Sequence, residues 1–205
     1  MALAPAYTAH RLAGAALPAP SHTLELFLDY TCPFSAKLWR TFESQVVPFI
    51  ESKETNVSVT FRHQVQPWHP NSTLLHEASL AVEKLNPQAF VRFTSALFEN
   101  QVDYFDEATV NLTRTEIYRK LAELAIGINA VDDRTALLQL LDIQASESPE
   151  NRGNAITNDL KYHIKIARAQ GIHVSPTVVL DGIRDDSVSS SWGLDQWAAW
   201  LKQKI

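Results

Sequence analysis

The chain has 205 residues, 45% hydrophobic and 20% charged, with 18 basic against 23 acidic side chains and a formal net charge of −5. That length supports one domain with a substantial core, or a domain carrying a large insertion. The acidic balance, with no Lys/Arg cluster, argues against nucleic acid as the main partner, and no run approaches the roughly 18 apolar residues of a membrane span.

Residues 1–21 are rich in Ala and Pro and read as an irregular lead-in. Pro5, Tyr7, His10 and Arg11 interrupt any apolar signal core, and the start is not basic, so a cytoplasmic location is expected. A strand follows over about Thr23 to Asp29. Next, Cys32 falls near the N-cap of a helix with Pro33 at its first position, where a missing N–H costs nothing. That helix should reach about Ile50, with Pro48 bending or shortening it. The alternation Val57-Ser58-Val59-Thr60-Phe61 marks a second strand, continuing to about Val65. Gln66 to Asn71 is a loop.

Beyond it the signals are nearly all helical. Ser72 is placed to cap a helix through Leu85, and Asn86-Pro87 starts another with Phe90, Phe93 and Leu97 on one face. Thr113 to Glu116 has capping-box spacing, with Ile117, Leu121, Leu124 and Ile128 behind it. Asp132 caps a helix to about Ile143. Ser148-Pro149 opens a long helix with Ile156, Leu160, Ile164 and Ala167 in a stripe, and Gly171 caps its end. A Pro-initiated strand over Val174 to Gly182, a short weak strand within Arg184 to Ser191, and a helix from about Leu194 to Gln203 complete the chain. Three Asn-x-Ser/Thr sequons, at Asn56, Asn71 and Asn111, carry no glycosylation signal without secretion; Asn71-Ser72 and Thr113 read as helix caps.

The order of elements predicts an α/β core, residues 22–70 and 171–205, joined by a helix over about 149–170 to an all-helical insertion, residues 71–148. Within that frame Cys32 is the only cysteine, so any disulfide it forms is with another molecule. A thiol at a helix start faces unpaired N–H groups and the positive end of the dipole, which favour thiolate, the nucleophilic form. The alternative is a small buried hydrophobe. Ser35, one turn on, is placed either to donate to the sulfur or to cap its own backbone. Asp29 reads as a strand-end cap, with a buried proton-accepting carboxylate as the other option. Trp68 and His69 either border the site, His69 assisting proton transfer, or serve as loop packing. His63, His69 and His76 lack close ligand spacing and no Cys pair exists, so no metal site is expected. The insert and core can hold an apolar ligand cleft between them.

The segments Asp29-Tyr30-Thr31-Cys32-Pro33-Phe34-Ser35 and Gly171-Ile172-His173-Val174-Ser175-Pro176-Thr177-Val178-Val179-Leu180-Asp181-Gly182, in this order with helices between them, resemble the DsbA-like branch of the thioredoxin fold. The resemblance covers roughly residues 22–205. Cys-Pro-Phe-Ser is also similar to the active-site turn of glutaredoxin-like chains, but there the cis-proline follows closely, whereas Pro176 comes only after the whole helical stretch. The resemblance implies a cis Pro176, a Ser175 main chain that pairs with an extended peptide or glutathione, and Pro33 and Phe34 in the substrate-facing turn. Two features depart from the family: Ser35 replaces the second cysteine, and no periplasmic address is present. Without a resolving thiol an internal dithiol cycle cannot run.

The expected function is therefore monothiol disulfide exchange through Cys32 and Ser35. It would involve no bound cofactor, and glutathione or a thiol- or disulfide-containing protein would be the partner. Two alternatives stand beside it. One is a glutathione-dependent transferase or isomerase, as in the similar kappa-class transferases and 2-hydroxychromene-2-carboxylate isomerases. The other is a non-enzymatic thioredoxin-fold binding module.

Overall fold

The apolar run ahead of Cys32 forms the central strand of a five-stranded sheet. In the computed structural model, which describes residues 3–14, 20–53, 55–148 and 150–205, the strands are β1 (Arg11–Ala13), β2 (His22–Leu28), β3 (Val57–His63), β4 (Thr177–Leu180) and β5 (Ile183–Arg184). They lie in the order β1-β3-β2-β4-β5. β2 and β3 are parallel, with Leu24 opposite Val59 and Leu28 opposite His63. The other pairs are antiparallel.

A parallel pair needs a long crossover. Here it is α1 (Pro33–Thr41), a wide π turn over Phe42–Val46, and α2 (Val47–Ser52). The widened turn sits just ahead of Pro48, whose ring lacks an N–H and cannot take the ordinary helical bond. The helical layer then runs α3 (Pro70–Leu85), α4 (Phe90–Glu99), α5 (Asp106–Thr109), α6 (Arg114–Gly127) and α7 (Arg134–Leu141). α8 (Thr157–Ala169) returns to the sheet, and α9 (Leu194–Lys204) closes the chain. The two faces of β2 bury different partners. Leu24, Leu26 and Leu28 join Trp39, Phe42 and Trp197 in the main core. Phe27 packs with Ile166, Ala167, Ile172 and Val179, so α8 covers the other face. Each such side chain contributes about 1.5–3 kcal/mol when fully buried.

Four local expectations change. The lead-in is not irregular throughout. Pro5–His10 forms a 3-10 turn, and β1 pairs with β3, Arg11 lying opposite Thr60. The helix expected from Ser148-Pro149 begins at Thr157 instead, and Pro149 itself lies outside the described residues. Gly153 sets that start: its φ is +74°, and a Cβ there would meet Thr157 Oγ1 at 2.1 Å. Asp133, not Asp132, caps α7, accepting the Thr135 and Ala136 N–H groups. Ser72 does not cap α3, because His69 is the cap residue and Pro70 begins the helix. The Thr113 capping box is formed as expected.

Candidate active site

β2 ends at Leu28, and Asp29-Tyr30-Thr31 turns the chain into α1. The Thr31 N–H and hydroxyl both donate to Asp29 Oδ1, at 2.7 and 2.6 Å. The Cys32 N–H donates to the Asp29 carbonyl at 3.2 Å. These bonds fix Cys32 as the extended N-cap residue of α1, φ −86° and ψ 117°, with Pro33 first in the helix. The Cys32 thiol donates to the Ser175 carbonyl at 3.4 Å, and the Ser175–Pro176 peptide is cis. The last loop before β4 thus lies directly against the sulfur. Cys32 is 5% exposed, but its surroundings are not closed: Phe34 is 64% and Val174 46% exposed. Gln101 Nε2 donates to the carbonyls of Tyr30 (2.8 Å) and Cys32 (3.3 Å), tying the helical layer to this turn.

Thr31 and Pro33, on either side of the cysteine, line a cleft of about 560 Å³ together with His69, Val102, Phe105 and Asp106. Its lining mixes apolar Pro33, Val102 and Phe105 with polar Thr31, His69 and Asp106, the usual character of a small-ligand site. His69 Nδ1 lies 3.0 Å from Asp106 Oδ2. Trp68 faces elsewhere: it lines a separate groove of about 470 Å³ with Ile172 and His173. The two residues that the sequence presents as one loop feature thus line different clefts, with their rings edge to face at 6.5 Å.

No family model matches the chain, and no curated protein matches it. Solved structures do. A candidate protein-disulfide isomerase from Pseudomonas syringae aligns with 24% identity and a TM-score of 0.69, over 88% of this chain and 93% of its own. MdbA, a thiol-disulfide oxidoreductase from Corynebacterium diphtheriae, aligns at 18% identity and TM-score 0.63, over 90% and 86%. BdbD from Bacillus subtilis aligns at 20% identity and TM-score 0.60, over 91% and 88%. The chain has the DsbA-like thioredoxin fold.

In this DsbA-like frame the residue behind the cysteine differs from expectation. Ser35 is fully buried, and its oxygen accepts the Asp29 N–H at 3.3 Å. It ties strand end to helix start, while the hydrogen bond of the sulfur runs to Ser175.

Asp29 is the strand-end cap read for it, and it is buried as the other option had it, with nothing here to make it a proton acceptor. It caps the turn through Thr31, and it is a fully buried carboxylate whose Oδ2 accepts from the Gln66 N–H at 2.7 Å and from the Ser72 hydroxyl. His76 Nε2 stands 3.6 Å away. Burial alone would raise the Asp29 pKa. Hydrogen bonding and charge from His76, with the Ser72 and Thr31 bonds, outweigh it and hold the carboxyl below its ordinary value.

The largest group missed in the sequence lies on α3 of the helical layer. Ser72, His76, Ser79 and Glu83 fall at helical spacing and all are buried. Each meets a buried polar group from outside the helix: Ser72 meets Asp29, His76 meets His63 (Nδ1 to Nδ1, 2.7 Å), Ser79 meets the Tyr30 hydroxyl (2.7 Å), and Glu83 meets His10 (2.9 Å). A polar stripe running along an otherwise apolar helix was the available signal. Asn71 is likewise no cap; its amide donates to the Tyr104 carbonyl at 2.8 Å.

Proposed function

We propose that this chain is a thiol–disulfide exchange protein that works through one thiol, with glutathione as its small-molecule partner. The observation that carries this reading is the Cys32 sulfur at the start of α1, 3.4 Å from the Ser175 carbonyl of the cis-proline loop. Its sequence neighbours Thr31 and Pro33 open onto a cleft. The relatives in fold named above include a thiol-disulfide oxidoreductase. The exposed Phe34 and Val174 offer apolar surface to a peptide. An extended segment can pair with the Ser175 main chain once the thiol is engaged elsewhere.

The chemistry balances without a second protein thiol. The Cys32 thiolate attacks the glutathione sulfur of a mixed disulfide, and the substrate leaves as a thiolate that takes up a proton. A second glutathione thiolate then attacks the Cys32–glutathione disulfide. Oxidised glutathione departs and the Cys32 thiolate is restored. A reducing cytoplasmic setting supplies the second thiol.

The test is turnover of a glutathionylated peptide with reduced glutathione as electron donor. The expected result is saturable release of free peptide with ping-pong kinetics. If the purified protein releases no peptide but conjugates glutathione to a small electrophile in the Val102–Phe105 cleft, the transferase reading replaces this one. If it does neither yet recovers a defined protein partner, with Cys32 intact or mutated, the non-enzymatic binding reading holds.

A further inference from the structure

Away from Cys32, three histidines from distant parts of the chain meet in the core. His10 ends the first 3-10 turn, His63 ends β3, and His163 lies on α8. All three are buried. Their ring centroids form a near-equilateral triangle, with separations of 4.9 Å for His10–His63, 4.9 Å for His10–His163 and 4.8 Å for His63–His163. Among the described residues, one nitrogen from each lies within 4.8 Å of the other two. The enclosing walls are aromatic: Phe90 stacks on His10 at 4.1 Å, Tyr7 meets His163 at 4.5 Å, and Phe61 meets His63 at 5.1 Å.

The pattern of hydrogen bonds is uneven. Among the described residues, His10 bonds to Glu83 through Nε2, at 2.9 Å, and its Nδ1 has no partner. Among them too, His63 bonds to His76 through Nδ1, at 2.7 Å, its Nε2 has no partner, and neither nitrogen of His163 has one. Burying an imidazole nitrogen without a partner is costly, so three clustered rings that each carry one form an arrangement that a bound group would relieve. A proton does not serve. Burial, reinforced for His10 by the Arg62 charge, lowers the pKa to about 3 in His10; burial, then the charges of His10 and Arg62, lowers it to about 2 in His163. Burial and the neighbouring histidines push His63 well below its ordinary value. Neutral imidazoles present lone pairs, the form that binds a metal.

We propose that His10, His63 and His163 form a buried three-histidine site for a divalent transition metal, zinc in the first instance. Glu83 and His76 act as the outer partners that orient two of the ligands. Burial and the charge of Asp159 raise the Glu83 carboxyl to about 8, so metal uptake takes its proton; with Glu83 then a carboxylate, His10 donates from Nε2 and turns the Nδ1 lone pair inward. With His76 donating toward Asp29, His63 donates to His76 and turns Nε2 inward. Such outer partners accompany most metal-binding histidines. An all-imidazole set suits zinc, copper, nickel or iron and disfavours calcium or magnesium. Zn–N bonds of about 2.0–2.1 Å require the rings to close by on the order of 1 Å. The Arg62 guanidinium opposes a cation here, but Glu25 pairs with it at 2.6 Å. The site would clamp the N-terminal turn, the sheet and α8 together. Through His76 and Asp29 it would also buttress the turn that carries Cys32.

The test uses the full chain, freed of metal by a strong chelator and dialysed. Titration with zinc against a chromophoric chelator is expected to give one tight site, and zinc should raise the melting temperature. Cobalt(II) should give the intense visible bands of a tetrahedral site. His163→Ala should weaken zinc binding at least 100-fold and Glu83→Gln about tenfold or more, while His173→Ala, on the surface, should change nothing. Should His163→Ala fail to fold, the cobalt spectrum of the unaltered chain decides. Weak octahedral bands, absence of stoichiometric uptake, or tight uptake unaffected by His163→Ala would each overturn the proposal.

Discussion

Cys32→Ser is expected to abolish disulfide exchange while leaving the fold intact. Nothing else in the chain can form a disulfide, since Cys32 is the only cysteine. Loss of a covalent nucleophile costs on the order of 10³-fold or more in rate. The serine hydroxyl can still donate to the Ser175 carbonyl that now receives the thiol. The surrounding bonds, from Gln101 to the Cys32 carbonyl and from the Cys32 N–H to Asp29, involve the main chain and persist. The melting temperature should therefore move by no more than about 2 °C. Parallel assays of peptide release and thermal unfolding check this. Exchange that survives the substitution would place the chemistry elsewhere.

Asp29→Ala is expected to do the opposite, destabilising the whole molecule. Four donors converge on this buried carboxylate: the Thr31 N–H, the Thr31 hydroxyl, the Gln66 N–H and the Ser72 hydroxyl. Alanine would leave them buried without an acceptor, at about 1–3 kcal/mol for each that finds no substitute. A net loss of about 4 kcal/mol corresponds to a fall of about 8–16 °C in melting temperature for a chain of this size. Asp29→Asn should suffer most of the same loss, because its NH₂ places a donor among donors.

The pH dependence follows from the lowered carboxyl. Its stabilising contribution is fully present above the unfolded-state value near ~3.9. It is lost as pH falls through the still lower folded-state value. Chemical denaturation of wild type and Asp29→Asn should show a constant gap from neutral pH to about 5 that narrows only below about 4. A gap unchanged down to about pH 2 would show that the charge of Asp29 does not hold the turn.

The parts of the fold that were legible in the sequence are those written in local chemistry. The apolar run ending at Asp29, Pro33 at a helix start, the Thr113 capping box and the Pro-led strand each declare themselves within a few residues. The three-residue β1 was not legible because it is shorter than any periodicity, and only its pairing with β3 makes it a strand. Ser72 looked like a cap because a serine ahead of an apolar run usually is one. Its hydroxyl is instead committed to Asp29, 43 residues earlier in the chain. The α8 start was displaced because Gly153, at positive φ, turns the chain later than Pro149 suggests.

The site divides in the same way. Cys32, Pro33 and Pro176 could be read from motifs. Gln101 could not, nor could His10 and His163 in the separate histidine cluster, since each acquires its meaning from partners far away in sequence. Histidine spacing failed for that reason: His63 and His76 do meet, but through the packing of α3 on the end of β3 rather than along one element.

The sulfur at the start of α1 is expected to be reached by, and to react with, a disulfide from solution. Intact-protein mass spectrometry after incubation with oxidised glutathione reads this out. A single glutathione adduct per chain is expected, mapped to Cys32 and removed by a reducing agent. A native protein that remains unmodified, and forms the adduct only once unfolded, would contradict it.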